Sequence, residues 1–148
     1  MPADATHAAS QAVREAARAH DRDRYLAALL APRSSRDDLI ALAAFSGEMA
    51  HVARSVREPM IGEIRLQWWW DALERGEPGS GHPVADAAID LVRRGRLDKG
   101  EAQALIDAYR DDLHAEPASS DRTLAPRIAA TEGRQFRLAG ALLAAEHR

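Results

Sequence analysis

Glu48, His51 and Arg54 stand three residues apart in the run FSGEMAHVARS. On a helix they would lie along one edge of an apolar stripe, within about 120° of it. A carboxylate, an imidazole and a guanidinium so placed could hold an anion or pass a proton at the mouth of a cleft. The same edge could equally be solvated. Arg65 is the next candidate, because it falls inside the apolar sweep of Ile61, Ile64, Leu66, Trp68, Trp69, Ala72 and Leu73. A guanidinium there cannot shed its charge. It must meet a carboxylate, reach a polar cavity, or snorkel past the tryptophans to water. Asp112 sits at the edge of the apolar face formed by Ala102, Leu105, Ile106, Tyr109 and Leu113, and Asp111 points away. A half-buried Asp112 needs a cation, so the expectation is an Arg65–Asp112 pair bordering a cavity, with Glu48 nearby. Removing Arg65 would then cost a few kcal/mol, about the cost of breaking a buried pair.

Other chemistries lack their residues. The histidines show no HxxxH or HExxH spacing for a local metal site. Neither GxSxG nor a phosphate-binding loop occurs, since the GEPGSG stretch at 76–81 has no lysine and follows no strand. Adjacent Asp111 and Asp112 would diverge by about 100° on a helix and could not share one magnesium ion. With no cysteine, disulfides and thiolate chemistry are excluded.

The elements that position these residues read as helices throughout. Pro59 forces a break between a helix over about 35–56 and another beginning near Glu58, which suits the positive end of the helix dipole. Leu39, Leu42, Ala43, Phe45, Met49 and Val52 form the inward stripe of the first. In the second, Glu63, Gln67, Trp70 and Glu74 oppose the apolar sweep, so Trp70 calls for a contact with a partner or another part of the chain. Upstream, a weakly amphipathic helix over 1–19 uses Ala8, Ala12, Val13 and Ala16. Residues 21–30 follow behind an aspartate cap, with Tyr25, Leu26, Leu29 and Leu30 turned inward. Ser35 and Asp38 have the spacing of a capping box. Pro83 opens a helix over 84–94 that Gly95 stops, and Asp98 caps one over 99–113. After a linker at 116–120, a last helix over about 131–146 carries Phe136, Leu138, Leu142 and Leu143 inward and meets no stop signal.

At 148 residues, rich in alanine and leucine and poor in strand patterns, the chain suits one all-α domain. A net charge of −3 leaves no footprint for nucleic acid. No signal peptide or 18-residue apolar run occurs, which predicts a cytoplasmic protein, with a membrane-peripheral placement as the alternative.

Taken together, DRDRYLAALLAPRSSRDDLIALAAFSGEMAHV, EPMIGEIRLQWWWDAL, HPVADAAIDLVRR with LIDAYRDDLHAEP, and ATEGRQFRLAGALLAA resemble the squalene/phytoene synthase family. The resemblance implies a helical extension over 1–20 and, over 21–148, the N-terminal half of an all-α isoprenoid-synthase fold around a central cavity. Active members join two prenyl diphosphates head to head, using magnesium held by two aspartate-rich motifs. The first motif, DDxxD, would fall on Ala50, His51 and Arg54, where every acid is lost; the second would lie beyond this chain. Glu48, Arg65, Trp68, Trp69 and Asp112 match family positions, and Trp70 replaces the usual basic residue. The wording EPMIGEIRLQWW is closest to the branch that includes a mitochondrial complex I assembly factor. The expectation is thus a degenerate prenyltransferase relative, or a non-catalytic assembly or binding factor. Its candidate cavity would be lined by Glu48, His51, Arg54, Arg65, Trp69, Tyr109 and Asp112. No cofactor is evident beyond the magnesium that a retained family activity would require. A prenyl diphosphate or lipid-like ligand is the expected small molecule, and a second copy or a complementing protein the expected partner.

Overall fold

Prolines open several helices of this protein, and a glycine ends α4. In the computed structural model, which describes residues 2–145 apart from the side chain of Pro2, α3 (Arg33–Ser55) follows Pro32, while α4 (Pro59–Arg75) and α5 (Pro83–Arg93) each begin on a proline. Proline is harmless there because the first helical N–H groups have no intrahelical partner. Gly76 ends α4 in the left-handed conformation at φ 65°, which costs glycine little, and its N–H bonds the Ala72 carbonyl. The remaining elements are α1 (Pro2–His20), α2 (Arg22–Leu29), α6 (Lys99–His114), α7 (Asp121–Ile128), a π-helical turn (Ala129–Gly133) and α8 (Arg134–Ala144). Among the described residues there is no strand.

The axis of the fold is α3. Residues 40–47 of this helix are buried without interruption, because α1, α2, α5, α6 and α8 pack around it. A helix apolar on one stripe only could not be surrounded in this way; here small residues, Ala41, Ala43, Ala44, Ser46 and Gly47, cover the sides that the larger ones leave. Gly47 allows the closest approach. A Cβ there would lie 2.9 Å from the Cβ of His20 at the end of α1.

Several expectations change at this level. Ser35 and Asp38 do not cap α3; both are buried within it, and Asp38 binds Arg94 and Arg96 instead. Leu26 on α2 and Leu30 at its C-terminal cap, expected inside, are exposed, and so are Phe136 and Leu143 on α8. Ile61 and Ile64 face outward on α4, whose buried side centres on Gly62, Leu66, Trp69 and Leu73. Trp70 needs no external partner, because it packs half-buried against the core. The last helical segment starts well before residue 131. Ser120 caps α7 through a reciprocal bond pair with Thr123, and the π turn joins α7 to α8. Residues 1 and 146 of the expected terminal helices lie outside the described residues.

Candidate functional site

A cluster of polar side chains lies where the α1–α2 junction, α3, α6 and the π turn converge. Asp21 anchors it. Its Oδ1 accepts the Arg24 backbone N–H at 3.3 Å, capping α2, and its Oδ2 accepts from the Arg24 guanidinium at 2.8 Å and from Gln135 at 3.4 Å. The other arm of Arg24 reaches Glu132, which the π turn carries. Such turns insert one residue into a helix and re-aim the side chains around it. Burial works against the charge of Arg24, but its bonds to Glu132 and Asp21 outweigh this and hold its pKa above the ordinary value.

Beside this triad, the His20 and His51 rings lie with centroids 4.3 Å apart, and His20 Nε2 is 3.8 Å from Glu48 Oε1. Tyr109, buried on α6, has its pKa pushed up to about 12, first by burial and then by the nearby Glu132 carboxylate. Arg24 and Arg54 pull in the opposite direction, so Arg54 is also within electrostatic reach of the phenol. Glu48 and His51 thus meet at His20, and Tyr109 lies within electrostatic range of Arg54 and of the Asp21–Arg24–Glu132 triad.

The other three candidates lie elsewhere. Trp69 belongs to the core behind α3, with its ring 5.9 Å from Phe45 and 4.8 Å from His82. Asp112 binds Arg127 of α7 at 3.0 Å, and Arg65 is exposed on α4 with no ion pair among the described residues. The expected Arg65–Asp112 pair is thus absent. The apolar sweep that made Arg65 look buried is itself half exposed, and α7 supplies a cation to Asp112 first. Sequence reasoning missed His20, Asp21, Arg24, Glu132 and Gln135 as residues of the cluster. The one available signal was the Asp21 cap, and nothing local links it to Glu132, 111 positions away.

The donor set does not suit magnesium, which takes hard oxygen ligands. A methyl, an imidazole and a guanidinium occupy Ala50, His51 and Arg54. Both Asp21 and Glu132 are engaged by Arg24, and Glu48 faces His20. Among the described residues, no group of three or more histidines or acids could hold a metal ion. What the cluster offers is imidazole, guanidinium and a neutral phenol that stays protonated up to high pH.

Comparison with known proteins gives the family. Complex I assembly factor 6 of Bos taurus and that of Homo sapiens are each 35% identical over 101 residues, covering 67% of this chain and 30% of theirs. A Drosophila melanogaster homologue is 34% identical over 108 residues, covering 65% of this chain and 31% of its own. The chain therefore spans under a third of the length of these relatives. No match to a solved structure emerges. The squalene/phytoene synthase family pattern matches residues 17–133, from the end of α1 through the π turn, and the chain belongs to that family.

Proposed function

We propose that this protein is a non-catalytic helical binding factor of the kind that assists assembly of a respiratory complex. The observation that carries this reading is the residue set Ala50, His51 and Arg54. Where family transferases place carboxylates to grip magnesium and diphosphate, this chain presents a methyl, an imidazole and a cation. The prenyltransferase reading loses its support at the same three positions. Relatives named as complex I assembly factors add weight. Exposed apolar side chains on α2, α4 and α8 supply surface for a protein partner.

The test is disruption of the gene in its own host, with assembled complex I followed by native electrophoresis and isoprenoid products by mass spectrometry. Loss of the assembled complex with isoprenoids unchanged is expected, restored by the wild-type gene. Intact complex I with a missing isoprenoid would overturn the proposal. So would magnesium-dependent binding of farnesyl diphosphate by the purified chain.

A further inference from the structure

The side of α4 that faces away from the core is apolar. Met60, Ile64, Ile61 and Trp68 are 73%, 66%, 43% and 37% exposed. By helical periodicity they share one stripe, about 100° wide, with Asp71 and Arg75. The buried residues Gly62, Leu66, Trp69 and Leu73 lie opposite. Large apolar side chains in so continuous a row mark an interaction surface. We propose that a second copy of this chain covers the stripe, the two α4 helices packing antiparallel about a two-fold axis at Ile64.

The order of charges along the stripe selects that occupant and its direction. Arg57, exposed in the turn before α4, and Glu58 at its cap stand at one end, and Asp71 and Arg75 stand near the other. None of the four has an ion-pair partner among the described residues. Asp71 takes the neutral amide of Gln67, at 2.8 Å, which leaves its charge unmatched. A two-fold axis at Ile64 sets each residue of the stripe against the one equally far on the other side of Ile64 in the second copy. Ile64 then meets its own copy, while Met60 meets Trp68 and Arg57 meets Asp71, each of these two contacts forming twice. Glu58 is brought to the end that carries Arg75. Sulfur against an indole is a favourable contact, and opposite charges at both ends fix the register. Parallel packing would instead set Arg57 on Arg57 and Asp71 on Asp71, and would align the two helix dipoles. A lipid surface, which carries one sign of charge, would meet an acid at each end of the stripe. The stripe is also preorganised, since the Trp68 ring lies 5.4 Å from Trp69, edge-on, and 5.9 Å from His82. Arg65, exposed on the flank of the stripe, stays at the wet rim of such a contact.

This inference goes beyond the assembly reading and does not rest on it, because the chain can assist assembly whether or not it pairs. One helix face per copy falls at the small end of specific interfaces, under about 1,200 Å² in total, so sedimentation is followed at chain concentrations up to about 1 mM. A reversible dimer is expected. Ile64→Arg places two like charges on the axis and should weaken it by about tenfold or more. The side chain is exposed, so the fold stays intact, as circular dichroism would verify. Arg57→Asp alone and Asp71→Arg alone should each weaken the dimer, because each sets like charges together twice. Mixed in equal amounts, these two variants should form a heterodimer at least about tenfold more stable than either homodimer, since both end contacts are then opposite in sign. The double variant Arg57→Asp/Asp71→Arg should pair as well as wild type. The proposal is overturned by a wild-type monomer at about 1 mM, by a dimer that Ile64→Arg leaves intact, or by no preference for the heterodimer in the mixture. A monomer that co-sediments with vesicles of anionic phospholipid would likewise overturn it, assigning the face to a lipid surface.

Discussion

Asp38→Asn removes one charge and almost no volume, yet it should loosen three parts of the molecule together. Asp38, buried in α3, accepts from Arg94 Nη2 at 2.7 Å and Nη1 at 3.3 Å, and from Arg96 Nε at 2.8 Å. Arg96 also donates to the Leu142 carbonyl of α8 at 3.1 Å, so one carboxylate ties α3 to the α5–α6 connection and, through it, to α8. Burial alone would raise the pKa of Asp38, but the bonds from Arg94 and Arg96 outweigh it and hold the value below 3.8. The Arg94 side chain is 46% exposed and regains water when released, so its share is about 0.5 kcal/mol. Arg96, at 19% exposed, is left with an uncompensated charge worth about 2 kcal/mol. The sum, about 2–3 kcal/mol, lowers the melting temperature by roughly 6–10 °C in a chain of this size.

Because the folded-state pKa is depressed, this stability is fully present above the unfolded value of 3.8 and is lost as pH falls through the folded value. Urea denaturation of wild type and variant at pH 7 should show the full gap with unchanged m-value. The gap should close as pH falls through that depressed folded value. A loss under about 0.5 kcal/mol at pH 7, the range of ordinary surface changes, would refute the strut. A gap that persists undiminished at acid pH would do the same.

Arg65→Ala should change stability by no more than about 0.5 kcal/mol, since the side chain is exposed and has no ion pair among the described residues, whereas Arg127→Ala should cost about 1 kcal/mol through Asp112; chemical denaturation separates the two. Gly47→Ala should lower the melting temperature, because its Cβ would sit 2.9 Å from His20 Cβ and 3.3 Å from the His20 carbonyl carbon; overpacking of about 1–3 kcal/mol exceeds the gain of about 1 kcal/mol in helix propensity. An equal or higher melting temperature would show that α1 yields freely. Gly140→Ala, where nothing lies within 4 Å, should instead stabilise by about 0.5–1 kcal/mol. Alkaline titration followed at 295 nm should show one phenol, Tyr109, ionising near 12; because its folded value is raised, the stability it contributes is lost as pH climbs from the unfolded value of 10.0 through 12, and Tyr109→Phe should abolish that loss.

Helix content and most helix boundaries were legible locally, because they depend on backbone chemistry within a turn or two. Pro59 and Pro83 open their helices, Gly76 and Gly95 follow the ends of theirs, and Asp98 caps α6 with a 2.8 Å bond to the Glu101 N–H. The family was legible too, from the order and spacing of four segments spread over most of the chain. So was the loss of acids at Ala50, His51 and Arg54, which is a matter of residue identity alone. The missed α7 shows where local reading weakens: Pro126 lies inside it, and a proline within a helix removes a donor and argues against the assignment until the Ser120–Thr123 cap is seen.

Which apolar face is covered, and which charge meets which, only the tertiary structure decided. An apolar stripe states what a helix can bury, not whether a neighbour arrives to bury it. Ile61 and Ile64 have the same chemistry as Leu66, and only the last faces α6 and the core. Ion pairing carries still less local information, because a guanidinium reaches any carboxylate that the fold brings near. Arg24 meets Glu132 across 108 positions and Arg96 meets Asp38 across 58, while Arg65, which the periodicity marked for burial, stays in water. The polar cluster arises from such long-range meetings around α3. Its residues are written in the sequence, but their company is set by packing.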